Sequence, residues 1–260
     1  MENKTIPDVK MHKESIGEIK SRIANLLENE NDDNRYYFFN FGDVKDFMFI
    51  MEKPHKPTEK SKGKGKNQRF VELEKQISQL QKNDPDYLDK RRELNLQELN
   101  IFLSTANDFF KEFFTLVIGT DNWSEIIKRF CFTDTSKSNN YNHFEEDEEL
   151  LKIEIQTCRP KLIFVFGSMA WESIKDKYSV RPWNREVQVG NVSKSHGHLY
   201  DLVDKKTSQK VSVCLPLMFF SGSYSPNKCP RDSYFYYLVE GINNFKNGTK
   251  LTDAGKIARL

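Results

Sequence analysis

The sequence lacks any long hydrophobic run. No segment of its 260 residues reaches the roughly 18 consecutive apolar residues that a membrane-spanning helix needs. The first segment, MENKTIPDVKMHKE, has no apolar stretch typical of a secretory signal peptide. We therefore expect neither a membrane protein nor a secreted one, and the sequence predicts a cytoplasmic location.

Cysteine is also scarce, and no two of the four cysteines have the close spacing typical of zinc and iron–sulfur sites. They are Cys131, Cys158, Cys214 and Cys229. Scattered cysteines in a reducing compartment are usually structural thiols. The sequence therefore predicts no bound metal and no cofactor.

Neither sign of charge is in excess, because 40 basic and 38 acidic residues give a formal net charge of +2. Net charge therefore indicates no partner. Aromatic residues, in contrast, make up 13% of the chain and include 20 phenylalanines, too many for a disordered protein. This aromatic surface is enough for one sizeable core, and we expect a single domain over residues 1–260 in a monomeric protein.

Four short apolar segments have the unbroken character of buried parallel strands. They lie near residues 46–51, 130–133, 161–166 and 211–216. Helical patterns alternate with them near residues 15–30, 123–130, 145–159, 168–177 and 233–245, and a hairpin is expected within residues 185–204. This alternation predicts an α/β fold with helices on both faces of a central, mostly parallel four-stranded sheet.

Two further segments interrupt this alternation. Residues 52–69 hold seven Lys or Arg residues against two Glu, with two Pro and two Gly, and are expected to form a flexible basic loop. The loop is either a solvated connection or an arm that contacts nucleic-acid phosphates, since bound cations release counterions from DNA. Residues of about 70–116 carry two helical stripes of apolar residues and are expected to form a helical insertion.

The segments at the four strand ends carry the clearest functional signal, because the loops there hold the functional sites of open α/β sheets. They read FIMEKPHK (49–56), FTDTSK (132–137), CRPKLIFVFGSMAW (158–171) and VCLPLMFFSGSYSPN (213–227). Together they resemble the uracil-DNA glycosylase superfamily over roughly residues 40–245, outside the helical segment. The resemblance implies a three-layer α/β/α fold and a DNA glycosylase that acts on a flipped-out base.

The third segment is the most similar to the family, since a helix ends in Arg-Pro-Lys, a strand follows and Gly167 begins the next helix. The other three segments match motifs of the family, but each lacks some of the motif residues. The family motif Gly-Glu-x-Pro-Gly is matched by MEKPH at 51–55, without either glycine. The motif Thr-Asn-x-x-Lys is matched by TDTSK at 133–137, and His-Pro-Ser-Gly or Asn-Pro-Ser-Gly by FFSG at 219–222. Some members of the family carry an iron–sulfur cluster, but the cysteines of this chain do not match those positions.

The first motif implies roles for several residues. Glu52 would position the attacking water and stabilise positive charge on the sugar, or it is a solvated carboxylate beside Lys53 and Lys56. Pro54 would make the loop rigid. Phe70 either stacks on the flipped base or belongs to the core of the following helix.

Asp134 stands where the family has an asparagine that reads the pyrimidine edge. An ionised aspartate has no donor for O4 of uracil, but it can accept from the N4 amine of cytosine. Asp134 therefore favours a cytosine-type base, unless it is a turn or capping residue. Because excision of ordinary cytosine would destroy the host genome, we expect a modified cytosine, such as those of phage genomes, and a role in phage defence.

The last motif has lost its histidine. Phe219 takes that place in the base-binding region, so either the leaving group differs or activity is lost. The substitutes for the missing donor are His55, which lies in the first motif, and His196 and His198, although each can equally be an ordinary loop histidine.

The loop that follows is expected to bind DNA. Ser221 belongs to the implied catalytic set, Gly222 follows it, and Tyr224 would be a wedge that fills the vacated stack, or else an exposed turn residue. The expected phosphate contacts come from basic residues, although surface lysines often contact nothing specific. These residues are Lys53, Lys56, Arg69, Lys137 and Lys228.

Three hypotheses follow from the sequence. The first is a DNA glycosylase for a modified cytosine, the second is a uracil-DNA glycosylase in base-excision repair, and the third is a non-catalytic nucleic-acid-binding member of the superfamily. The identity of Asp134 disfavours the second, and the missing glycines and histidine support the third.

Overall fold

The fold is given by a computed structural model, in which a central sheet is flanked by helices. It describes residues 7–28, 36, 39, 44–52, 68–82, 84–105, 108–138, 144–184, 186–218, 231–251 and 257–259. In this part of the chain, no helix is long and apolar enough to cross a membrane.

A six-stranded mixed sheet forms the centre of the molecule, with the strand order β2-β1-β3-β6-β5-β4. Its strands are β1 (Phe47–Met51), β2 (Phe130–Asp134), β3 (Leu162–Phe166), β4 (Tyr178–Pro182), β5 (Tyr200–Asp204) and β6 (Lys210–Leu217). A separate two-stranded sheet consists of β7 (Thr249–Leu251) and β8 (Ile257–Arg259), which pair in antiparallel fashion.

The four apolar strands predicted from the sequence are β2, β1, β3 and β6, and each pairs in parallel with its neighbour. The prediction of a four-stranded sheet is corrected, however, because β4 and β5 add two antiparallel strands beyond β6. The expected hairpin within residues 185–204 supplies only β5. Its partner β4 directly follows a helix and is only partly buried, so it lacks the unbroken apolar pattern that marks the central strands.

Helices alternate with the strands along the chain. They are α1 (Pro7–Glu28), α2 (Gln68–Ile77), α3 (Pro85–Thr105), α4 (Phe109–Ile118), α5 (Trp123–Arg129), α6 (Phe144–Cys158), α7 (Ser168–Lys177), α8 (Val192–Ser195) and α9 (Arg231–Lys246). Gly167 begins α7 with a φ of 95°, a left-handed conformation that glycine adopts without steric cost. Its N–H donates to the carbonyl of Leu217, which ties the end of β3 to the end of β6.

The two faces of the sheet are covered by different helices. Because side chains alternate along a strand, Phe49, Phe132 and Phe164 lie on one face, where they pack against the phenylalanines of α4. Residues such as Ile50 and Val165 lie on the other face, in a cluster with α6 and α7. Helix α4 therefore belongs to the main core. The expected helical segment over residues of about 70–116 corresponds to α2, α3 and α4, and its role as an insertion stays a prediction.

Candidate functional site

The carboxyl ends of β1 and β2 meet at one edge of the sheet. The parallel register pairs Met51 with Asp134, the last residue of each strand. Beyond the strands, the backbone N–H groups of Thr135 and Ser136 donate to the carbonyls of Met51 and Glu52 at 2.9 and 3.2 Å. Glu52 and Asp134 thus adjoin each other along the backbone at this edge, and a shared role in one site stays a prediction.

Glu52 lines a cleft of about 250 Å³ between this edge and the helices α6 and α7. The hydroxyl of Thr135 donates to the carbonyl of Glu52 at 2.8 Å and so fixes the backbone of the first motif. The remaining lining is largely acidic and hydroxylic, and consists of Ser136, Glu148, Ser168, Met169, Glu172, Ser173 and Asp176. The half-buried Glu52 is therefore accessible to a small polar molecule, as a residue that positions water must be.

The side chain of Asp134 lies at the same edge, on the face of the sheet opposite the cleft that Glu52 lines. Thr133 contacts Glu154 of α6, so alternation along β2 places the next side chain on the side of Phe132 and the aromatic cluster. Asp134 is completely buried, and within the described part of the chain neither of its carboxyl oxygens has a hydrogen-bond partner. This is a rare state, because buried polar groups are normally hydrogen-bonded.

The protonation state of Asp134 follows from this burial. Desolvation raises its pKa to about 8, helped by the nearby charges of Glu154 and Asp147, against the lowering effect of Lys137. At neutral pH the side chain is therefore mostly a neutral carboxylic acid. The expected preference for a cytosine-type edge assumed an ionised Asp134, a form that this burial disfavours, and the preference itself stays a prediction.

Lys137 does not project into solvent. Its ammonium group donates to Oε2 of Glu154 and to the carbonyl of Asp134, both at 2.7 Å, and also to the hydroxyl of Thr133. Both members of the Lys137–Glu154 ion pair are at most 5% exposed. Lys137 therefore belongs to a buried hydrogen-bond network and does not have the exposed position that the expected phosphate contact needs.

The other described residues of the first motif and its basic arm also have partners. Phe70 lies in α2 and is fully buried beside Leu73 and Leu94, which favours the alternative that it is a core residue. Arg69 is half-exposed and makes two hydrogen bonds of 2.7 Å to the carboxylate of Glu93. At this arm, then, a DNA contact by Arg69 would have to compete with an existing ion pair.

Several expected site residues lie outside the described residues. They are Lys53, Pro54, His55, Lys56, Phe219, Ser221, Gly222, Tyr224 and Lys228. The expected meeting of Ser221 with Glu52 and Asp134 therefore stays a prediction.

His196 lies at the carboxyl end of β6, beside Met218. The backbone N–H of Met218 donates to its Nδ1 at 3.2 Å, and its ring packs on Tyr234 at 4.4 Å between centroids. Burial lowers its pKa to about 4, with a smaller contribution from His198, so the ring is neutral at pH 7. A ring that accepts at Nδ1 carries its proton at Nε2, and Nε2 is buried without a partner.

The buried network around Lys137 contains two residues that no sequence motif singles out, Glu154 and Asp147. Oδ2 of Asp147 accepts from the backbone N–H of Lys137 at 3.1 Å. The signal for Glu154 is its position in α6 between Ile153 and Ile155, where a carboxylate needs a buried partner.

In the described part of the chain, no group of three or more His, Cys, Asp or Glu side chains could hold a metal ion. The thiols of Cys131 and Cys158 contact each other with their sulfur atoms 2.8 Å apart, and Cys214 is buried and free. The strand ends themselves present carboxyl, imidazole and hydroxyl groups.

In comparisons with known proteins, no protein family, no curated protein and no solved structure matches this chain.

Proposed function

We propose that this chain is a DNA glycosylase that hydrolyses the N-glycosidic bond of a flipped-out pyrimidine nucleotide and leaves an abasic site. The observation that carries the proposal is the register between β1 and β2. It brings the backbones of Glu52 and of the buried Asp134 to the same carboxyl edge of the parallel strands, while their side chains lie on opposite faces of the sheet. That edge is where open α/β sheets bind their ligands.

Hydrolysis at this edge needs a base-binding group and a group that activates water. A flipped base is read through its Watson–Crick edge in a pocket, and Asp134 offers two unused oxygens for that contact. Glu52 lies one residue beyond the paired strand end and faces the cleft, where it can hold a water molecule. The two carboxyl groups thus have different surroundings and different proposed roles.

The proposed reaction is a displacement at C1′ of the sugar. The oxygen of water forms a bond to C1′ while the bond from C1′ to the base nitrogen breaks, and the electron pair leaves with the base. Glu52 takes the proton of the water and stabilises the positive charge that develops on the sugar. A neutral donor would stabilise the departing base, and Nε2–H of His196 at the end of β6 supports this role.

The proposed substrate class is a non-standard pyrimidine in DNA. The likeness of the strand-end segments to the uracil-DNA glycosylase superfamily supports this class and a related three-layer arrangement of the fold. A modified cytosine is the form proposed from the sequence, with phage defence as the role. A uracil substrate in repair and a DNA-binding protein without turnover are the alternatives that the experiment separates.

The test uses oligonucleotides that carry one uracil, one 5-hydroxymethylcytosine or one glucosylated cytosine, each as single and double strand. After incubation, alkali cleaves the strand at every abasic site. We expect cleavage of at least one modified-base DNA and none of DNA with the four ordinary bases. Binding without any cleavage would contradict the proposed enzyme and favour the non-catalytic alternative.

A further inference from the structure

Among the residues that the structure describes, Asp134 combines complete burial with two carboxyl oxygens that lack a hydrogen-bond partner. The polar groups around it are committed to one another. Lys137 donates to Glu154 and to the carbonyl of Asp134, while Asp147 accepts from the backbone N–H of Lys137. Both oxygens of the Asp134 side chain remain buried without a partner. A natural protein rarely leaves such a group unsatisfied unless a ligand completes it.

We propose, resting on the function proposed above, that Asp134 meets the base as a neutral carboxylic acid and pairs with either a cytosine-type or a uracil-type Watson–Crick edge. A carboxylic acid offers one O–H donor and one carbonyl acceptor side by side. Cytosine presents an N4–H donor beside the N3 acceptor, and uracil presents the O4 acceptor beside an N3–H donor. With cytosine, the acid accepts from N4–H and donates to N3. With uracil, it donates to O4 and accepts from N3–H, with the proton on its other oxygen.

The charges that face Asp134 support the neutral form. Helix α6 contributes the carboxylates of Glu154 and Asp147, and the segment after β2 contributes the ammonium group of Lys137. Desolvation of the completely buried carboxyl group is the main cause that raises its pKa to about 8; Lys137 opposes it, and Glu154 and Asp147 add to it. Because Asp134 is fully buried, its carboxyl group is shielded from water.

Ionisation of Asp134 removes the donor and leaves one carboxylate oxygen against an acceptor of either base. Loss of the proton from Asp134 therefore weakens its pairing with both bases. At neutral pH, in contrast, Asp134 does not separate the two classes of pyrimidine. On this proposal, discrimination between them belongs to other parts of the pocket, and Asp134 does not exclude uracil.

The test compares kcat/KM between pH 6 and pH 10 for DNA that carries one uracil and DNA that carries one 5-hydroxymethylcytosine. We expect the wild-type rates on the two DNAs to lie within about tenfold of each other at pH 7. Above about pH 8 both are expected to fall about tenfold per pH unit, because kcat/KM follows ionisation of the free enzyme. Asp134→Asn keeps a donor and an acceptor at every pH, so its kcat/KM should lack this alkaline decline, whatever its level at pH 7.

Asp89→Asn in α3 is the matched control, since Asp89 is a 66% exposed carboxylate far along the chain from the site. It is expected to keep the wild-type profile. An alkaline decline that persists unchanged in Asp134→Asn would overturn the proposal. So would a wild-type rate that rises above pH 8 together with loss of activity in Asp134→Asn, because that pattern belongs to an ionised carboxylate.

A second measurement separates this inference from the proposed function. The carboxyl carbon of Asp134 is followed by NMR in protein with ¹³C-labelled aspartate, and its signal is assigned by its absence from Asp134→Asn. A titration midpoint near pH 8 supports the neutral acid, and a midpoint near 4 overturns it. If no DNA is cleaved at any pH, the proposed function fails, and a midpoint near 8 would then identify Asp134 as a structural acid without a role in base recognition.

Discussion

The ammonium nitrogen of Lys137 lies 2.7 Å from Oε2 of Glu154, and the two side chains are 2% and 5% exposed. A lysine at the end of a motif that implies DNA binding is therefore an internal structural element. Its charge balances Glu154 within the sheet–helix interface, and its backbone N–H is held by Asp147. The loop after β2 depends on this network for its conformation.

We predict that Lys137→Met destabilises the protein by about 3–5 kcal/mol, because it leaves the carboxylate of Glu154 buried without its partner. Replacing both residues, Lys137→Met with Glu154→Leu, should recover a large part of this loss. The measurement is the free energy of unfolding from urea titrations at pH 7.

The matched control is Lys128→Met, which removes a lysine that is 66% exposed and pairs with Glu125 on the surface of α5. A surface pair of this kind contributes at most about 0.5 kcal/mol. Equal losses in the two single variants would show that the Lys137–Glu154 pair is not effectively buried.

A second prediction concerns the pH dependence of stability around Asp134. Its pKa is raised from 3.8 to about 8 on folding, so between these values the folded state holds one proton more than the unfolded state. Stability therefore falls as the pH rises from about 4 to about 8, by at most about 1.4 kcal/mol per pH unit. In Asp134→Asn this contribution is absent, and the variant gains stability relative to the wild type over that range.

The measurement is urea unfolding of the wild type and of Asp134→Asn at pH 4, 6 and 8. Other titrating groups are common to both proteins and cancel in the difference. Two curves that stay parallel over the range would show that Asp134 has an ordinary pKa in the folded state.

Much of the sheet could be predicted from the sequence, and the reasons are physical. Strands β1, β2, β3 and β6 are buried on both faces, so they read as unbroken apolar runs such as Leu162–Phe166. Strand β4 contains Ser179 and Arg181 and lies at the edge of the sheet, where one face is partly exposed, so no such run marks it.

The site was less predictable, because its chemistry depends on burial. The sequence places Asp134 at a strand end, but only the fold shows that both of its oxygens are shielded and that its proton is retained. The same holds for Lys137, whose partner Glu154 is 17 residues away on a different element. For Phe70 the sequence left base stacking and a core position equally open, and its burial beside Leu73 and Leu94 favours the core position.

The third prediction concerns His196, whose pKa is lowered to about 4 by burial. Its imidazole should show no titration between pH 8 and about pH 5 in NMR spectra, with the signal assigned by His196→Asn. The change of stability with pH that His196 causes has the opposite sign to the change that Asp134 causes. Between about pH 6.5 and pH 4 the unfolded state binds the additional proton, so stability falls as the pH falls, and His196→Asn lacks this loss.

The comparison group is His198, which is also shifted downward by burial but is only half-buried. It should therefore titrate at a higher pH than His196. A His196 midpoint near 6.5 would contradict the buried neutral ring, and with it the neutral donor proposed for the departing base.

The fourth prediction tests the close packing that holds α9 against the end of the sheet. A Cβ on Gly241 would lie 2.7 Å from Cδ1 of Leu215 and 2.8 Å from the carbonyl oxygen of Gly197. Gly241→Ala should therefore destabilise the protein by about 1–3 kcal/mol. Gly17→Ala is the matched control, because Gly17 is an exposed residue of α1 whose Cβ would meet nothing within 4 Å.

Gly17→Ala should be slightly stabilising, by about 0.5–1 kcal/mol, since glycine is a poor residue for the middle of a helix. Thermal unfolding of the two variants measures both effects. Similar shifts in the same direction would show that α9 does not approach the 196–199 segment as closely as described.

The last prediction concerns Glu52 and separates an enzyme from a binding protein. Glu52→Gln keeps the size of the side chain and removes the carboxylate that would take the proton of water. If Glu52 acts as proposed, single-turnover cleavage of the modified-base DNA should fall about 10²–10⁴-fold, while the Kd for the same DNA changes little. Glu125→Gln, at an exposed carboxylate of α5, is the control and should leave both values unchanged.

Because Glu52 is half-buried and its backbone carbonyl, not its carboxylate, holds Thr135 and Ser136, the Glu52→Gln variant should fold normally. Full cleavage by Glu52→Gln would show that another group activates the water, and weakened binding without a change in the single-turnover rate would assign Glu52 to DNA contact.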